Sequence, residues 1–421
     1  MKNYLRRSIE PLIERKLGCT GAVLVTGPKF CGKTTTCKRF AKSSISFIDG
    51  NIIDIASADP RGALEGKLPR LIDEWQCVPQ IWNYIRQKVD EDQNFGEYIL
   101  TGSSTPADPS KITHSGAGRI SKIKMRPMSL AETGESKGRV SLKELFDNPS
   151  FAIFDENEGY GLAKTAFFIC RGGWPLSLQE NEQTALDVTR SYYDGLFNFV
   201  GSDNPLLAGK NPKTMRLLLK SYARHISTQA AHLKMYNDLV LSGKVSMDKK
   251  TFDSYVSLAS DMFLIEDMDA WTPTLRSKAA IRTAPTRHFV DTSIAAQSLA
   301  ISPADLLKDA RSFGLFFEDF AIKELRVYAD ALDGEVYHYR DSDDLECDAI
   351  LHLHDGRYGA IEIKLGSPEG IEEGAKSLLK LSKKLSERES RPSFNMILTA
   401  TGVCHKRPDG IYVVPINMLR D

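Results

Sequence analysis

Ala22-Val23-Leu24-Val25-Thr26-Gly27-Pro28-Lys29-Phe30-Cys31-Gly32-Lys33-Thr34-Thr35-Thr36 decides how the rest of the chain is read. The run 22–25 is apolar and reads as a buried parallel strand. A glycine-bounded loop follows, then helix-forming Cys37-Lys38-Arg39-Phe40-Ala41. Gly27, Gly32, Lys33 and Thr34 fit the phosphate-loop pattern G-x-x-x-x-G-K-[ST] without exception. Such a loop turns its backbone N–H groups around phosphate oxygens, and a Cβ at Gly27 or Gly32 would obstruct that. The helix points its positive N-terminal end at the same anion. Gly27, Pro28, Lys29, Phe30, Cys31, Gly32, Lys33, Thr34 and Thr35 are therefore expected to line the nucleotide. Lys33 would neutralise the outer phosphates, and the Thr34 hydroxyl would ligate Mg²⁺. ATP and Mg²⁺ are the expected ligands.

Further on, Lys67-Leu68-Pro69-Arg70-Leu71-Ile72-Asp73-Glu74-Trp75-Gln76 is an apolar strand ending in two adjacent carboxylates, as in a Walker B segment. Neighbours on a strand point opposite ways. Asp73 can hold the Mg²⁺ shell while Glu74, just past the strand, polarises the attacking water. The bland alternative is a solvated acidic turn. Tyr98-Ile99-Leu100-Thr101-Gly102-Ser103-Ser104 reads as another buried strand with a polar tip. In this class of ATPase the strand beside Walker B ends in a small polar residue that meets the γ-phosphate or the water. Ser103 is the choice, with Thr101 and Ser104 as alternatives. The Ser-, Gly- and Pro-rich loop 105–118 delivers Arg119 ahead of the strand Ile120–Met125. Arg119 is either a finger that stabilises charge on the transferred phosphoryl group or a surface arginine.

A length of 421 residues suggests about two to four domains. Hydrophobic content of 42% and charged content of 26% fit a globular protein. Lys and Arg number 55 and Asp and Glu 55, so any nucleic-acid surface must be local. No apolar run reaches membrane-spanning length, and Met1–Lys16 has no signal-peptide core, so no membrane contact is expected. The 7 cysteines are scattered, without a C-x-x-C pair, which reads as reduced thiols in a cytoplasm.

Gly27–Thr34, Leu71-Ile72-Asp73-Glu74-Trp75-Gln76, Leu100-Thr101-Gly102-Ser103, Arg126-Pro127-Met128-Ser129-Leu130-Ala131-Glu132 and Arg171-Gly172-Gly173-Trp174-Pro175 together resemble the prokaryotic AAA-type ATPases with a C-terminal domain of uncharacterised function. The resemblance covers nearly the whole chain. It implies that Arg119 is a finger acting on a neighbour's nucleotide in a homo-oligomer. It also implies that Arg171, in a helical lid, is a sensor over the phosphates.

From about 141 to 200 the pattern is helical, with Leu186, Tyr192, Tyr193 and Leu196 fitting a lid. Next comes a helix-turn-helix-like run: Met215–His225, a helix near 229–241, and a third helix capped by Asp248. Met262-Phe263-Leu264-Ile265-Glu266 reads as a first wing strand, and Leu275-Arg276-Ser277-Lys278 leads out of the unit. Lys210, Lys213, Arg216, Lys220, Arg224 and Lys234 make it basic, which suits DNA or another nucleic acid. The alternative is a protein-contact module with a solvated face.

The last third opens with the amphipathic helix Phe313–Leu325 and continues with strands 335–340, 346–352 and 357–365. A basic helix at 369–390 and strands at 395–399 and 411–415 follow. That is the order of a PD-(D/E)XK, restriction-endonuclease-like core, and Asp348…Glu362-x-Lys364 matches its signature. Asp348 and Glu362 could hold Mg²⁺, with Glu318 on the helix near a second metal position, and Lys364 could serve the water. A cross-strand ion pair, or a fold retired from catalysis, would leave the same residues. His352 and His354 alternate on a strand but are weak evidence for zinc.

The fold class is α/β: an AAA-type P-loop ATPase core at 1–140, a helical lid at 141–205, a winged-helix module at 206–300 and a nuclease-like domain at 301–421. Two functions compete. One is a cytoplasmic ATPase whose nucleotide state licenses a nuclease-like, nucleic-acid-associated domain. The other is a nucleotide-dependent switch or scaffold with an inactive nuclease-like domain.

Overall fold

The computed structural model describes residues 4–103, 112, 114–148, 150–197, 209–273, 283–387 and 390–421. Ser104, most of the loop 105–118, Leu275–Lys278 and Arg388 lie outside them.

Helix α1 (Glu10–Leu17) begins with Pro11 in its first turn, and residues 4–7 are not helical. Ile9 and Ile13 are buried as its periodicity predicts, while Leu5 is exposed. The next elements are β1 (Ala22–Thr26), α2 (Lys33–Cys37), β2 (Ser43–Ser46), α3 (Gly50–Ala58), β3 (Arg70–Asp73), α4 (Ile81–Asp92), β4 (Tyr98–Gly102) and β5 (Ile120–Lys124). Among the described residues these five strands form one sheet in the order β2-β3-β4-β1-β5, all parallel. A parallel sheet covered on both faces needs continuous apolar strands. Val23 and Val25 face one core with Ile13, and Leu24, Ile72 and Leu100 face another with Ile81 and Ile85. The register pairs Thr26 with Gly102 and Asp73 with Thr101. The carboxyl ends of β1, β3 and β4 therefore finish at one edge, where ligands of open α/β sheets bind.

Residues 134–160 depart from the expected lid. After α5 (Leu130–Thr133) come β6 (Val140–Ser141), α6 (Leu142–Asp147) and β7 (Phe154–Asp155). These pack on the C-terminal unit: β6 pairs with β14 (Leu419–Arg420), β7 with β12 (Cys404–Lys406), and Phe146 meets Phe394 edge-on at 5.0 Å. Within the expected lid the long helices are α7 (Leu162–Arg171) and α8 (Glu182–Gly195).

Three helices follow: α9 (Pro212–Arg224), α10 (His232–Leu241) and α11 (Lys249–Asp261). Asp248 caps the third by accepting from Thr251 N at 2.7 Å. Antiparallel bridges join Ile265 to Phe289 and Met268 to Thr286. Helices α12 (Thr292–Leu299) and α13 (Pro303–Lys308) lead to the long α14 (Ala310–Ala331).

The last unit is a meander of β8 (Gly334–Arg340), β9 (Glu346–Leu353) and β10 (Tyr358–Lys364), then α15 (Pro368–Ser386), β11 (Phe394–Thr399), β12, β13 (Tyr412–Pro415) and β14. Its sheet runs β7-β12-β13-β11-β10-β9-β8, with β10, β11 and β13 mutually parallel. The expected helix–meander–helix–strand order is present, and β7 and β12 are additions the pattern did not predict.

A charged joint ties these parts together. Arg126, just past β5, pairs with Glu266 at 2.7 Å and with Asp330 of α14. Lys124 reaches Glu266 at 2.8 Å. Lys323 donates to Met128 O at 2.9 Å, and Leu130 N donates to Glu324 Oε2 at 2.8 Å. Among the described residues no helix is long and apolar enough to cross a membrane.

Candidate nucleotide site

The loop after β1 has the backbone its sequence demands. Gly27 has φ +151°, and a Cβ there would lie 2.1 Å from the Met125 carbonyl oxygen. Gly32 has φ +102°, a left-handed backbone that glycine takes without strain. Phe30 and Glu74 also hold left-handed backbone, at φ 63° and 55°, which costs on the order of 1 kcal/mol each. Both strained residues stand at this one edge of the sheet.

Lys33 is buried, and its ammonium donates to Gly27 O at 3.0 Å and Pro28 O at 2.8 Å. These carbonyls hold the charge inside the loop, where phosphate oxygens would compete for it. Thr34 donates its hydroxyl to Asp73 Oδ1 at 2.7 Å. Ser46 donates to the other oxygen at 3.0 Å, and Thr101 also donates to Oδ1. Asp73 is buried, so its carboxylate needs these donors. An alcohol and a carboxylate in contact beside a phosphate loop are the hard oxygen donors Mg²⁺ takes, so the residues present fit that ion.

Glu74 stands next to this pair. Ser103 donates to its Oε2 at 3.3 Å, and Gln76 Nε2 donates to the same oxygen. The tip of β4 thus supplies both carboxylates: Thr101 serves Asp73 and Ser103 serves Glu74. Above the loop lies a cavity of about 670 Å³ lined by Lys29, Phe30 and Ser103 and roofed by Trp174 and Tyr192 of the lid. Trp174 and Tyr192 stack at 4.2 Å, and Phe30 meets Tyr192 edge-on at 6.1 Å. Pro28, Cys31 and Thr35 complete the loop, with Cys31 buried and Thr35 exposed.

Two expected arginines lie elsewhere. Arg119 is at the start of β5, where its carbonyl accepts from Ala22 N. That is the opposite end of the sheet from Gly27, about 17 Å away over the five residues from Ala22 to Gly27. Its guanidinium pairs with Asp90 at 2.7 Å, so it does not serve its own loop. Arg171 is 4% exposed and is gripped by both oxygens of Glu135. Its charge is met by Glu135, which is partly exposed, and not by the phosphate loop.

Arg7 is a contact the sequence reading missed. It donates to Cys31 O and to Arg126 O, both at 2.8 Å, and pairs with Glu132 at 3.1 Å. It therefore ties the back of the phosphate loop to the charged joint. Glu132, the last residue of the Arg126–Glu132 motif, was the available signal.

In the C-terminal unit Lys364 Nζ lies 3.1 Å from Asp348 Oδ2 and 2.7 Å from Glu362 Oε2. Burial and the Asp348 charge push the Glu362 carboxyl up to about 8, against the pull of Lys364. Burial and Asp348 likewise push Glu318 well above the carboxylate range. The four groups converge, as the strand register predicts. They do not form the expected carboxylate metal set: among the described residues no three His, Cys, Asp or Glu side chains group to hold a metal ion. The Lys364 ammonium stands between the two strand carboxylates, where a cation would lie.

Residues 20–134 match the family model described as an AAA domain. That match supports a nucleotide-binding P-loop unit. Residues 163–305 match the Domain of unknown function (DUF8612) and 313–419 the Domain of unknown function (DUF4143). The uncharacterized protein Rv2008c of Mycobacterium tuberculosis is 24% identical over 382 residues, covering 89% of this chain and 77% of its own. The uncharacterized protein Mb2031c of Mycobacterium bovis matches to the same extent. Among solved structures, the Walker-type ATPase PABY2304 of Pyrococcus abyssi aligns with TM-score 0.45 and 13% identity, over 70% of this chain and 96% of its own.

Proposed function

We propose that the chain binds and hydrolyses ATP in the cleft between the phosphate loop and the lid. The observation that carries this is the Thr34–Asp73 contact at 2.7 Å, with Glu74 and Ser103 beside it at the same sheet edge. Lys33 and the N–H groups opening α2 bind the phosphates. Thr34 and Asp73 would hold Mg²⁺, which supplies positive charge to the phosphate oxygens when bound. Glu74 takes a proton from the attacking water, and Ser103 keeps its carboxylate in place. Lys33→Ala should abolish tight ATP binding, read by titration with a fluorescent ATP analogue. Unchanged affinity would refute the site.

The finer architecture is part of the same proposal. Helices α9–α11 with the bridged segments 265–268 and 286–289 are read as a winged helix facing nucleic acid. The C-terminal unit is read as a PD-(D/E)XK fold, and Arg119 as a finger acting across a homo-oligomer interface. For the C-terminal unit the bridging Lys364 supports the non-cleaving alternative, a nucleotide-dependent switch or scaffold. The convergence of Asp348, Glu362 and Lys364 supports the nuclease reading. Divalent metal titrated into the full chain with supercoiled DNA separates them. Nicking lost in Asp348→Ala supports the nuclease, and absence of nicking supports the scaffold.

A further inference from the structure

The net charge of the chain is zero, yet one groove is strongly cationic. It lies where the N-terminal half of α9 meets the turn after α10 and the end of α12, and encloses about 690 Å³. Lys213, Arg216, Lys220 and Lys244 line it, and among the described residues no carboxylate does. Lys213, Arg216 and Lys220 stand at i, i+3 and i+7, which puts them on one face of α9. Like charges at such spacings cost a helix about 0.2–0.5 kcal/mol per pair, so the stripe is not there for helix stability.

The neighbouring cations are engaged and these mostly are not. Lys210 donates to Ser254 at 2.6 Å, and Arg224 pairs with Asp238. Arg216 is braced over the rings of Tyr193 and Phe197 and pairs with Asp194 at 3.0 Å. Lys213, Lys220 and Lys244 are exposed and have no ion pair among the described residues. Thr214, Ser246 and Ser298 add hydroxyl groups to the same wall.

We infer that this groove binds the sugar–phosphate backbone of single-stranded nucleic acid. Lys213 to Lys220 spans about 10 Å along the helix, so the stripe can meet successive phosphates of one strand. A groove of about 690 Å³ has room for the backbone of one strand and not for a duplex. The lining aromatic, Tyr193, is 6% exposed and offers no face for a base. Recognition is therefore of phosphate, without base preference.

The inference rests on the reading that the three-helix unit meets nucleic acid, and is independent of ATP hydrolysis. The test is binding of a fluorescent twelve-nucleotide single strand to the full chain at several salt concentrations. Three phosphates neutralised by the three unpaired lysines give a log–log salt slope of about −2.1, a loss of about twenty-fold in affinity from 50 to 200 mM salt. The triple change Lys213→Glu, Lys220→Glu, Lys244→Glu should abolish binding, while Lys→Arg at all three sites and Lys33→Ala should retain it. Substituting Lys249→Glu and Lys250→Glu at the start of α11 separates the two readings. If those changes remove binding and the groove changes do not, the groove is refuted and the winged-helix surface stands. If no strand binds at all, both fail. Equal groove-dependent binding of a blunt duplex, or of poly-glutamate, also overturns the inference.

Discussion

Replacing Arg126 with Met should loosen the joint between the ATPase sheet and α14 by an amount that depends on pH. Arg126 has two carboxylate partners, Glu266 and Asp330, whose side chains are 12% and 24% exposed. Burial raises Asp330 to about 6 even with Arg126 present. Glu266 is buried too, but Arg126, Arg326 and Lys124 hold it well below the carboxylate range. Without Arg126, Glu266 keeps Lys124 at 2.8 Å and Arg326 at 3.8 Å and loses one charged hydrogen-bonding partner, about 2 kcal/mol. Asp330 is then driven neutral, at about 1.4 kcal/mol for each pH unit above 6. The sign follows from its raised pKa: Asp330 contributes stability below its unfolded value near 3.9 and loses it as pH rises through 6. At pH 5 its carboxyl is mostly protonated with or without Arg126. Arg126→Met should therefore cost about 2 kcal/mol at pH 5 and about 4–5 kcal/mol at pH 8, within the range for a broken buried pair. Urea unfolding of both proteins at the two pH values reads the difference. An equal loss at both, or a loss below about 0.5 kcal/mol, would refute this account of the joint.

Glu362 gives a second pH signature. Its folded carboxyl sits at about 8 against an unfolded value near 4.3, so its contribution to stability is lost as pH rises between those values. Glu362→Gln should flatten the fall of the thermal midpoint from pH 5 to pH 9; an unaltered profile would show that Glu362 does not carry it. Ser103→Ala should bind ATP normally and turn over at least about ten-fold slower, because Glu74 loses a positioning donor; unchanged turnover removes Ser103 from the site. If Arg119 acts across an interface, Arg119→Ala should hydrolyse about 10³-fold slower, and mixing it with Lys33→Ala should restore activity. A rate per subunit that stays flat on dilution, with no rescue on mixing, would leave Arg119 as the partner of Asp90 alone.

The grouping of residues at the candidate nucleotide site was legible because its determinants are local. Gly27 to Thr34 is one contiguous pattern, and Asp73-Glu74 follows an apolar strand whose end must reach the same sheet edge. The choice between Thr101 and Ser103 was not decidable from pattern, because Thr101 near the end of β4 and Ser103 just past it each serve a different carboxylate. Arg7 was invisible for another reason: it acts on backbone carbonyls, which any residue supplies. The placement of 140–155 was missed because β6 and β7 are two residues long and their partners lie more than 240 positions away. No local periodicity reports such a pairing. Arg171 has the sequence of a lid arginine, and only its distant neighbour Glu135 shows where its charge goes.

The central claim is that Glu74 serves the water while Lys33, Thr34 and Asp73 hold the nucleotide. The most direct measurement is ATP binding and single-turnover hydrolysis on the same sample of Glu74→Gln, with Mg²⁺ present. The account predicts wild-type affinity with hydrolysis slowed by about 10² or more, since the amide cannot accept the proton. Wild-type hydrolysis in that variant would contradict it.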